Sequence, residues 1–437
     1  MQNDCFPETP PEWDKGPISM IANINPRYPL KKTQELPFIE MASVAEQFGG
    51  IQRIDWRKLE GSGLARFKAG DTLFAKITPC PENGKVAFVH ELPAQYGIGS
   101  TEFIVLSPKE NCDPRYLYHL VCAHAVRGRA ASRMEGSTGR QRVPDDVFEK
   151  RLLVPVPPPE EQTAIAEVLD AVETAIERCE TAIQRARELR KGLLSELLSR
   201  GVDEAGRVRN PGEASDYEHT PVGRLPVTWR PSSVGEEFEL QNGFTLNEDR
   251  RPRLRKRKYL RVANVQRDGL DLGDVHELEA HDKEFAPRVL KAQDLLVVEG
   301  HADRMQIGRC AIVDERAAGF TFQNHLFRLR TRGQVVPGFG CLWLNSEYAQ
   351  RFWNARCATS SGLNTINQRT LRKLIVPIPP KPEQDKIVEV VQSQRTHLES
   401  LVAKRDSLSQ LKRSLMHDLL TGAVRVKASL SQVAEAV

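Results

Sequence analysis

The sequence predicts a mixed α/β (α+β) chain with two globular domains, each followed by one long helix. The two helices are expected to pair antiparallel as a coiled coil within an internal pseudo-two-fold repeat. Three observations predict this fold class. The chain has 437 residues, too many for one compact domain. Its two halves repeat each other, and each half ends in a heptad pattern of apolar residues.

The repeat is clearest where each helix begins. Residues 152–162, LLVPVPPPEEQ, recur as LIVPIPPKPEQ at 374–384, which is 222 positions further along the chain. The match continues without a gap through residues 193–198 and 415–420. A period of this length is too long for a solenoid. It therefore indicates a duplicated module of one globular domain and one long helix.

Each predicted helix has an apolar stripe. Pro159 suits a first helical position, and Glu160 and Glu161 suit the positive end of the helix dipole. Apolar residues follow at spacings of four and three, so the stripe must be buried against a partner. The other copy is the simplest partner, and a separate protein is the alternative. The predicted seam comprises Ile165, Leu169, Val172, Ile176, Ile183, Leu193, Leu197, Ile387, Val391, Leu398, Leu401, Leu408, Leu415 and Leu419. Off-seam Leu194, Leu198 and Met416 either dock partner helices or widen the core of the pair.

These landmarks set the predicted boundaries. They are a first globular domain at 1–158, a long helix at 159–202, a polar linker at 203–222, a second globular domain at 223–380, a second long helix at 381–422 and a tail at 423–437. The linker leaves room for parallel or antiparallel helices. We prefer the antiparallel form because it places the domains at opposite ends of a rod about 55 Å long, which suits a two-fold duplex.

Both globular domains are predicted to mix strands with helices. The predicted strands are Thr72–Ile77, Lys85–His90, Glu102–Leu106, Tyr259–Val265, Leu295–Val298 and Leu326–Leu329, and the predicted helices are Pro114–Ala131 and Pro337–Arg356. Each domain closes with a polar segment, Gly136–Arg142 or Thr359–Gln368. Hydroxyl, amide and guanidinium groups of this kind suit phosphate and base-edge contacts, although they also suit ordinary turns.

The charge distribution indicates an anionic partner. The net charge is only +4, but eight cations fall within the twelve residues Arg250–Arg261. Such a run attracts phosphate, and a solvated basic loop is the alternative. No run of eighteen apolar residues and no signal-peptide pattern occur, so we expect a cytoplasmic protein with no membrane partner.

The motifs of the common DNA-modifying enzymes are missing. No Asn/Asp-Pro-Pro-aromatic tetrapeptide of a methyltransferase occurs, and Gly84-Lys85 lacks the rest of a P-loop. Glu149 and Lys150 are adjacent, so on a strand they would face opposite ways and could not act together as in a nuclease. The eight cysteines have no zinc-site spacing. We therefore expect no catalytic residue and no metal site in this chain.

Taken in order, these segments resemble the specificity (S) subunit of type I restriction–modification enzymes over nearly the whole chain. In the first half the similar segments are Phe67–Pro79, Glu82–Lys85 and Gly97–Phe103. In the second half they are Leu225–Trp229, Tyr259–Val265, Phe322–Phe327 and Ile366–Gln368, together with the twice-used proline-rich helix entry. The first half departs from the pattern, since it has Pro10-Pro11-Glu12-Trp13 in place of the fuller Leu-Pro…Trp entry.

The resemblance implies two target-recognition domains that each read half of a split, asymmetric site in double-stranded DNA, with the helix pair spanning the unread base pairs. It further implies two methyltransferase (M) subunits that carry S-adenosylmethionine and methylate adenine. Restriction/translocase (R) subunits using ATP and Mg²⁺ would join for cleavage. The chain itself would bind no cofactor.

Under this hypothesis we expect DNA contacts from polar and basic residues in both domains. They are Lys76, Thr78, Lys85, Thr138, Arg140, Gln141, Arg255, Arg257, Arg261, Asn264, Asn324 and Thr365. Each of them could instead satisfy local backbone. Two other functions stay open at this point. A stand-alone endonuclease or methyltransferase would bind a cofactor, and a coiled-coil scaffold would bind its partner without dependence on salt.

Overall fold

A computed structural model describes residues 4–6, 8–31, 33–59, 63–137, 140–210, 216–267, 269–360 and 362–426. The chain divides into two compact units. The first unit is Met1–Thr181 with Val402–Val437, and the second unit is Ala182–Leu401. Each unit contains one globular domain, the start of the long helix that follows it, and the end of the other long helix. No helix in the described part of the chain is long and apolar enough to cross a membrane.

The first globular domain combines two four-stranded sheets with two helices. Its strands are β1 (Asp14–Pro17), β2 (Ala22–Ile24), β3 (Glu35–Ile39), β4 (Asp55–Lys58), β5 (Ala65–Phe67), β6 (Thr72–Ala75), β7 (Val86–Phe88), β8 (Gly97–Gly99), β9 (Phe103–Pro108) and β10 (Leu153–Val156), and its helices are α1 (Pro114–Cys122) and α2 (His124–Ala131). The sheets have the orders β2-β9-β6-β7 and β4-β3-β8-β5, and β1 pairs with β10. Helix α3 (Pro159–Arg200) follows.

The second globular domain repeats this topology. Its strands are β11 (Tyr217–Thr220), β12 (Gly223–Pro226), β13 (Arg230–Ser233), β14 (Phe238–Asn242), β15 (Lys256–Leu260), β16 (Val265–Gln266), β17 (Gly269–Leu270), β18 (His276–Glu279), β19 (Leu295–Val298), β20 (Gly300–His301), β21 (Cys310–Ile312), β22 (Thr321–Phe322), β23 (Leu326–Thr331), β24 (Ala358–Ser360), β25 (Leu363–Thr365) and β26 (Ile375–Ile378). Its helices are α4 (Val234–Glu237), α5 (Asp282–Phe285), α6 (Pro337–Leu344), α7 (Glu347–Arg356) and α8 (Gln368–Arg372). The order β14-β23-β19-β21 matches β2-β9-β6-β7, and β18-β15-β22 matches β4-β3-β8. Helix α9 (Lys381–Thr421) ends the repeat.

Two of the predicted helices are each divided into two. Asp113 caps α1 by accepting hydrogen bonds from the backbone N–H groups of Arg115 and Tyr116, but the backbone turns to ψ 135° at Ala123 before α2 begins. In the second domain, Ser346 starts a new helix because its side chain accepts a hydrogen bond from the N–H of Ala349. The single helices predicted over 114–131 and 337–356 are therefore wrong in continuity, although their outer bounds agree.

One predicted strand is displaced along the chain. The expected strand Tyr259–Val265 begins earlier, at Lys256, and ends at Leu260. A short 3-10 turn over Val262–Asn264 follows, in which the amide oxygen of Asn264 accepts a hydrogen bond from the N–H of Arg261 at 2.8 Å. Because this side chain satisfies the backbone locally, it favours a turn over continued strand pairing.

The repeated Glu-Gln pair fixes each long helix to its own domain. The amide nitrogen of Gln162 donates to the carbonyl of Pro157 at 2.9 Å, and its oxygen accepts from the N–H of Asp113 at 3.0 Å. In the second unit Gln384 donates to Pro379 at 2.8 Å and its oxygen accepts from Val336 at 2.7 Å. Both glutamines are fully buried. The motif recurs because each helix start needs the same buried hydrogen-bonding group.

Within each unit the segments of α3 and α9 run antiparallel. In the first unit, Glu161 accepts from Arg425 at 2.6 Å and Glu173 from Lys412 at 2.8 Å, so positions that advance along α3 recede along α9. In the second unit, Glu383 near the start of α9 accepts a hydrogen bond at 3.0 Å from the N–H of Val202, just past the end of α3. The predicted fold class and helix direction are confirmed.

The predicted seam residues lie on the inner side of these segments. Seven are buried, namely Ile165, Leu169, Ile183, Leu197, Ile387, Val391 and Leu419, and the other seven are half-buried. Leu419 and Leu420 share a core with Ile165 and Leu169, and Leu197 and Leu198 share one with Ile387 and Val391. The off-seam residues also pack inward: Leu198 is buried, and Leu194 and Met416 pack partly against these cores. They therefore widen the cores of the units rather than form a free docking face.

Candidate nucleic-acid interface

The end of central strand β6 meets the predicted polar segment of the first domain. The N–H of Thr78 donates to the carbonyl of Gln141 at 3.0 Å, and the N–H of Val143 donates to the carbonyl of Lys76 at 2.9 Å. The N–H of Lys76 in turn donates to the carbonyl of Glu102. These bonds bring together residues far apart in sequence. We call the resulting group the first strand-end cluster, comprising Lys76, Thr78, Glu102, Arg140, Gln141 and Arg142.

The charges of this cluster are held at the surface. Arg142 makes a two-pronged contact with the Glu102 carboxylate at 2.7 and 2.8 Å, and that hydrogen bonding lowers the pKa of Glu102. Lys76 lies 3.8 Å from Asp145. The hydroxyl of Thr78 donates to Glu82 at 2.9 Å, and Arg140 and Gln141 are exposed. The cluster thus presents cationic, hydroxyl and amide groups to solvent from a backbone fixed by sheet hydrogen bonds.

Lys85, another predicted residue of this domain, stands apart from the cluster. The ammonium group of Lys85 lies 3.4 Å from the carbonyl of Met41, to which it donates. Arg309 occupies the matching place in the second domain and donates to the carbonyl of Val262 at 2.8 Å. Lys85 therefore has a structural contact with a counterpart in the repeat. Thr138 lies outside the described residues.

The second domain has an equivalent arrangement at the end of strand β19. The N–H of Glu299 donates to the carbonyl of His325 at 2.9 Å, and the N–H of Ile366 donates to that of Glu299 at 3.0 Å. Thr365 on β25 pairs with Gly300 on β20, in the three-stranded sheet β20-β25-β24. The second strand-end cluster comprises Glu299, His301, Asn324, His325, Asn364 and Thr365. The two backbone hydrogen bonds of Glu299 match the two that Lys76 makes in the first cluster, but the side chains differ at every matching position.

The basic run of the second domain is largely ion-paired. Arg257 contacts Asp282 at 2.5 Å, and Arg261 contacts Asp274 at 2.5 Å. Arg255 contacts His281. The two carboxylates are 78% and 74% exposed, so these are surface pairs of small net stability, from which an arginine can transfer to a phosphate. Lys256, Arg257 and Lys258 lie on strand β15, whereas Arg251, Arg253 and Arg255 lie in the exposed loop before it.

Asn264 does not present its amide to solvent. The residue is 3% exposed, its oxygen accepts from Arg261, and its nitrogen donates to the carbonyls of Asp271 and Asp274 at 2.8 and 2.9 Å. In this structure its amide holds the turn after β15, so we do not include it in the interface. Asn324 is half-buried, and its N–H donates to the carbonyl of Phe244 at 2.9 Å.

One cluster in the described residues has the composition of a metal site. The side chains of His119, Asp170 and Glu173 converge within 4.8 Å. However, Arg115 donates to both carboxylates, at 2.5 and 2.9 Å, and Lys412 donates to Glu173 at 2.8 Å. Burial would raise the pKa of Asp170, but hydrogen bonds from His119 and Arg115 outweigh it and hold that pKa at about 2. These cations neutralise the carboxylates, so the group is an ion-pair network that anchors α1 to the helix segments.

Sequence reasoning did not name six members of the strand-end clusters as site residues: Glu102, Arg142, Glu299, His301, His325 and Asn364. The ion pair of Glu102 with Arg142 joins residues 40 positions apart, which no local pattern shows. His325 contacts Glu299 at 3.0 Å, and Glu299 and His301 carry no local signal. Weaker signals existed for the others, since Arg142 and Asn364 lie in the two predicted polar segments, and Glu102 and His325 lie in segments that supported the family resemblance.

Comparison with known proteins defines the class. The sequence model of the family described as "Type I restriction modification DNA specificity domain" matches residues 10–185 and 226–405, which together make up well over half of the chain. The chain therefore belongs to this family, and the resemblance read from its sequence is confirmed. The relatives described next are named as specificity subunits or as an HsdS subunit.

Individual relatives extend this result. The EcoAI specificity subunit of Escherichia coli is 34% identical over 162 residues, which cover 36% of this chain but only 27% of that protein. The putative MjaX specificity subunit of Methanocaldococcus jannaschii is 20% identical over 96% of this chain and 95% of its own. The HsdS subunit of Thermoanaerobacter tengcongensis has the same fold, with a TM-score of 0.51 and 18% identity over 95% of this chain and 98% of its own.

Proposed function

We propose that the chain is the non-catalytic specificity subunit of a type I restriction–modification system. It reads a bipartite, asymmetric site in double-stranded DNA, and each globular domain contacts one half of that site. The observation that carries the proposal is the pair of strand-end clusters. Their backbone hydrogen bonds correspond, whereas their side chains differ throughout. The two domains therefore present different side chains to DNA from the same backbone arrangement, which suits the reading of different base sequences.

The chemistry of the clusters suits both kinds of DNA contact. Arg140 and Arg142 in the first domain, and Arg257 and Arg261 in the second, can bind phosphates and fix the position of each domain on the duplex. The amides of Gln141 and Asn324 can each accept from and donate to one adenine edge in the major groove. The hydroxyls of Thr78 and Thr365 suit either a phosphate or a base edge. Lys76 and Arg255 add positive charge nearby.

The partners follow from the family. A chain sharing this fold, with a TM-score of 0.59 over 95% of this chain, comes from a structure described as dealing with complex assembly of the type I R-M system. We propose that two methyltransferase subunits carrying S-adenosylmethionine, and restriction/translocase subunits using ATP and Mg²⁺, act at the site that this chain selects. Adenine methylation or cleavage is then their chemistry. The complex works on the chromosome, in the cytoplasm.

Mapping methylated adenines across the genome tests this proposal. Cells that carry the gene should show a split motif that is lost on its deletion. Gln141→Ala should relax the motif in one half only, and Asn324→Ala, which removes an amide of the second domain, should relax it in the other half only. If either single variant altered both halves, the assignment of one half-site to each domain would be wrong. If deletion left every methylated motif in place, the recognition function itself would be refuted.

A further inference from the structure

An exposed tryptophan distinguishes the first domain. Among the five tryptophans of the chain, Trp13, Trp229, Trp343 and Trp353 are at most 5% exposed, whereas Trp56 is 54% exposed. Trp56 lies on β4, the edge strand of the sheet β4-β3-β8-β5. Leaving so large an apolar side chain in water forgoes the free energy that its burial would contribute, and the packing of the domain's own core does not require this exposure.

The surroundings of Trp56 are rich in cations. Lys58 lies two residues further along the strand, so it shares a face with Trp56, and both are exposed. Arg57, also exposed, lies over the ring of Phe38 on the opposite face. Arg53 precedes the strand with a side chain 65% exposed. The acidic neighbours Glu35, Glu40 and Asp55 equal these three cations in number, and Arg53 contacts Asp55 at 2.8 Å, so Lys58 and Arg57 are the cations closest to Trp56 along the strand. An aromatic ring among cations is the combination with which proteins hold nucleic-acid strands.

The equivalent sheet of the second domain is β18-β15-β22. At matching positions its paired strands carry opposite charges to those of β4 and β3. Glu35 faces Lys58 across β3 and β4, whereas at the matching positions Lys256 faces Glu279. Leu36 faces Arg57, whereas Arg257 faces Leu278. The exchange extends beyond the strand ends. Arg53 lies 4.0 Å from Glu40, whereas at the matching positions Asp274 pairs with Arg261. Both domains therefore have cations on this sheet, but the cations lie on β4 in the first domain and on β15, the counterpart of β3, in the second.

Trp56 breaks this pattern of exchanged charges. It faces Pro37, and the matching pair in the second domain is Glu277 facing Lys258. One domain thus has an aromatic ring where the other has a charge pair. A difference of this kind on a shared frame is what two domains reading different sequences require.

Strand β3 connects this sheet to the first strand-end cluster. The carbonyl of Ile39, its last residue, accepts a hydrogen bond from the N–H of Ser100 at 3.1 Å, two residues before Glu102 of the cluster. Two residues beyond Ile39, the carbonyl of Met41 accepts from Lys85. The strand that pairs with β4 is therefore hydrogen-bonded to the segment that leads into the first strand-end cluster.

We propose that Trp56 and Lys58 form a second DNA-contacting element of the first domain. The Trp56 ring packs on a base of the first half-site and Lys58 binds an adjacent phosphate, and the contact to the base makes Trp56 a specificity-determining residue. This proposal rests on the proposed function, because it presupposes that the first domain reads DNA. The partner to which it commits is duplex DNA.

Tryptophan fluorescence gives a direct test, because Trp56 is the one accessible indole of the chain. The fluorescence of Trp56 is obtained by subtracting the fluorescence of the Trp56→Phe complex from that of the wild-type complex. The tryptophans of other subunits contribute equally to both and cancel. The probe is a duplex carrying the motif found in the methylation map, and a duplex with that motif scrambled is the control. We expect the motif duplex to protect Trp56 from acrylamide quenching more than the scrambled duplex does.

Binding measurements on variants complete the test. Trp56→Ala should weaken binding to the motif duplex about 5- to 150-fold, the range for losing one aromatic–base contact, with an unchanged salt slope. Lys58→Ala should instead make the slope of log K against log salt shallower by about 0.9. Val227→Ala, which alters another apolar side chain that is 54% exposed, should change neither property. Circular dichroism of each variant confirms that it folds.

Three outcomes would overturn the inference or its premise. If the complex recognises the motif while Trp56 stays open to acrylamide and Trp56→Ala binds normally, the inference is wrong and the proposed function stands. If partner subunits protect Trp56 without DNA, the surface is a protein-docking site and the inference is equally wrong. If no duplex is preferred over its scrambled control, the proposed function itself fails.

Discussion

The salt dependence of DNA binding offers a quantitative test of the candidate interface. Its cationic candidates are Lys76, Arg140, Arg142, Arg255, Arg257 and Arg261. If each replaces counterions at one phosphate, log K should fall against log salt with a slope of about −5.4. Raising salt fourfold, from 50 to 200 mM, would then weaken binding about 10³-fold. Fluorescence anisotropy on the motif duplex at five salt concentrations measures the slope directly.

Arg257 is the most informative single position. It contacts Asp282, whose carboxylate is 78% exposed, and its guanidinium lies 4.4 Å from the centre of the Phe285 ring. Exposed pairs contribute only about 0–1 kcal/mol, so DNA can take Arg257 from Asp282 at little cost. Arg257→Gln should make the slope shallower by about 0.9. The fourfold rise in salt then reduces the DNA affinity of the wild type by a factor about 3.5 times larger than the factor for the variant.

Asp282→Asn is the matched control, because it removes the competing carboxylate and leaves the arginine in place. This variant should keep the full slope and bind DNA at least as tightly as the wild type. The reasoning is refuted if Arg257→Gln loses affinity without any change of slope, since the arginine would then act through the fold. It is refuted also if Asp282→Asn weakens binding as much as Arg257→Gln.

Three further predictions concern the helices and their attachment. Leu169→Ala removes a fully buried seam side chain and should lower the unfolding free energy of the first unit by about 2–5 kcal/mol in urea titrations. Gln384→Ala leaves the buried carbonyl of Pro379 without its hydrogen bond and should cost the second unit about 1–3 kcal/mol, seen as faster hydrogen exchange around the start of α9. Burial lowers the pKa of His119 below 6.5, so the unfolded chain takes up that proton first and stability falls as pH drops through 6.5. His119→Leu should flatten this part of a pH–stability curve, and an unchanged curve would contradict the assignment.

The long helices were predictable because their signals are local. Prolines before residue 160, carboxylates in the first turn and a four-three apolar spacing each act within a few residues, and α3 begins at Pro159 as that pattern indicates. The seam also anticipated which side chains lie inward. Its middle positions are only half-buried, as expected where polar residues such as Arg405 and Lys412 interrupt the stripe.

The strand-end clusters were only partly predictable because they depend on pairing over long sequence distances. Composition identified the polar segment Gly136–Arg142, but the bond between Thr78 and Gln141 requires a register that no local pattern encodes. The break between α1 and α2 at Ala123 was not predicted either, because the residues on both sides of it have ordinary helix propensity. Asn264 was chosen for its side-chain chemistry, and only the turn around it shows that this chemistry is already used by backbone groups.

The repeat separates two kinds of residue, and that separation bears on how specificity can change. Gln162 and Gln384 keep the same buried hydrogen bonds in both units, and Lys85 and Arg309 donate to matching carbonyls. The strand-end side chains and the β3–β4 charges differ or are exchanged, and all of them except Asn364 are exposed or half-buried. Substitutions there should therefore cost less stability than substitutions in the buried core. Under the proposed function, a new half-site could then be read without rebuilding the fold, because the groups that hold each domain to its helix are not those proposed to face the DNA.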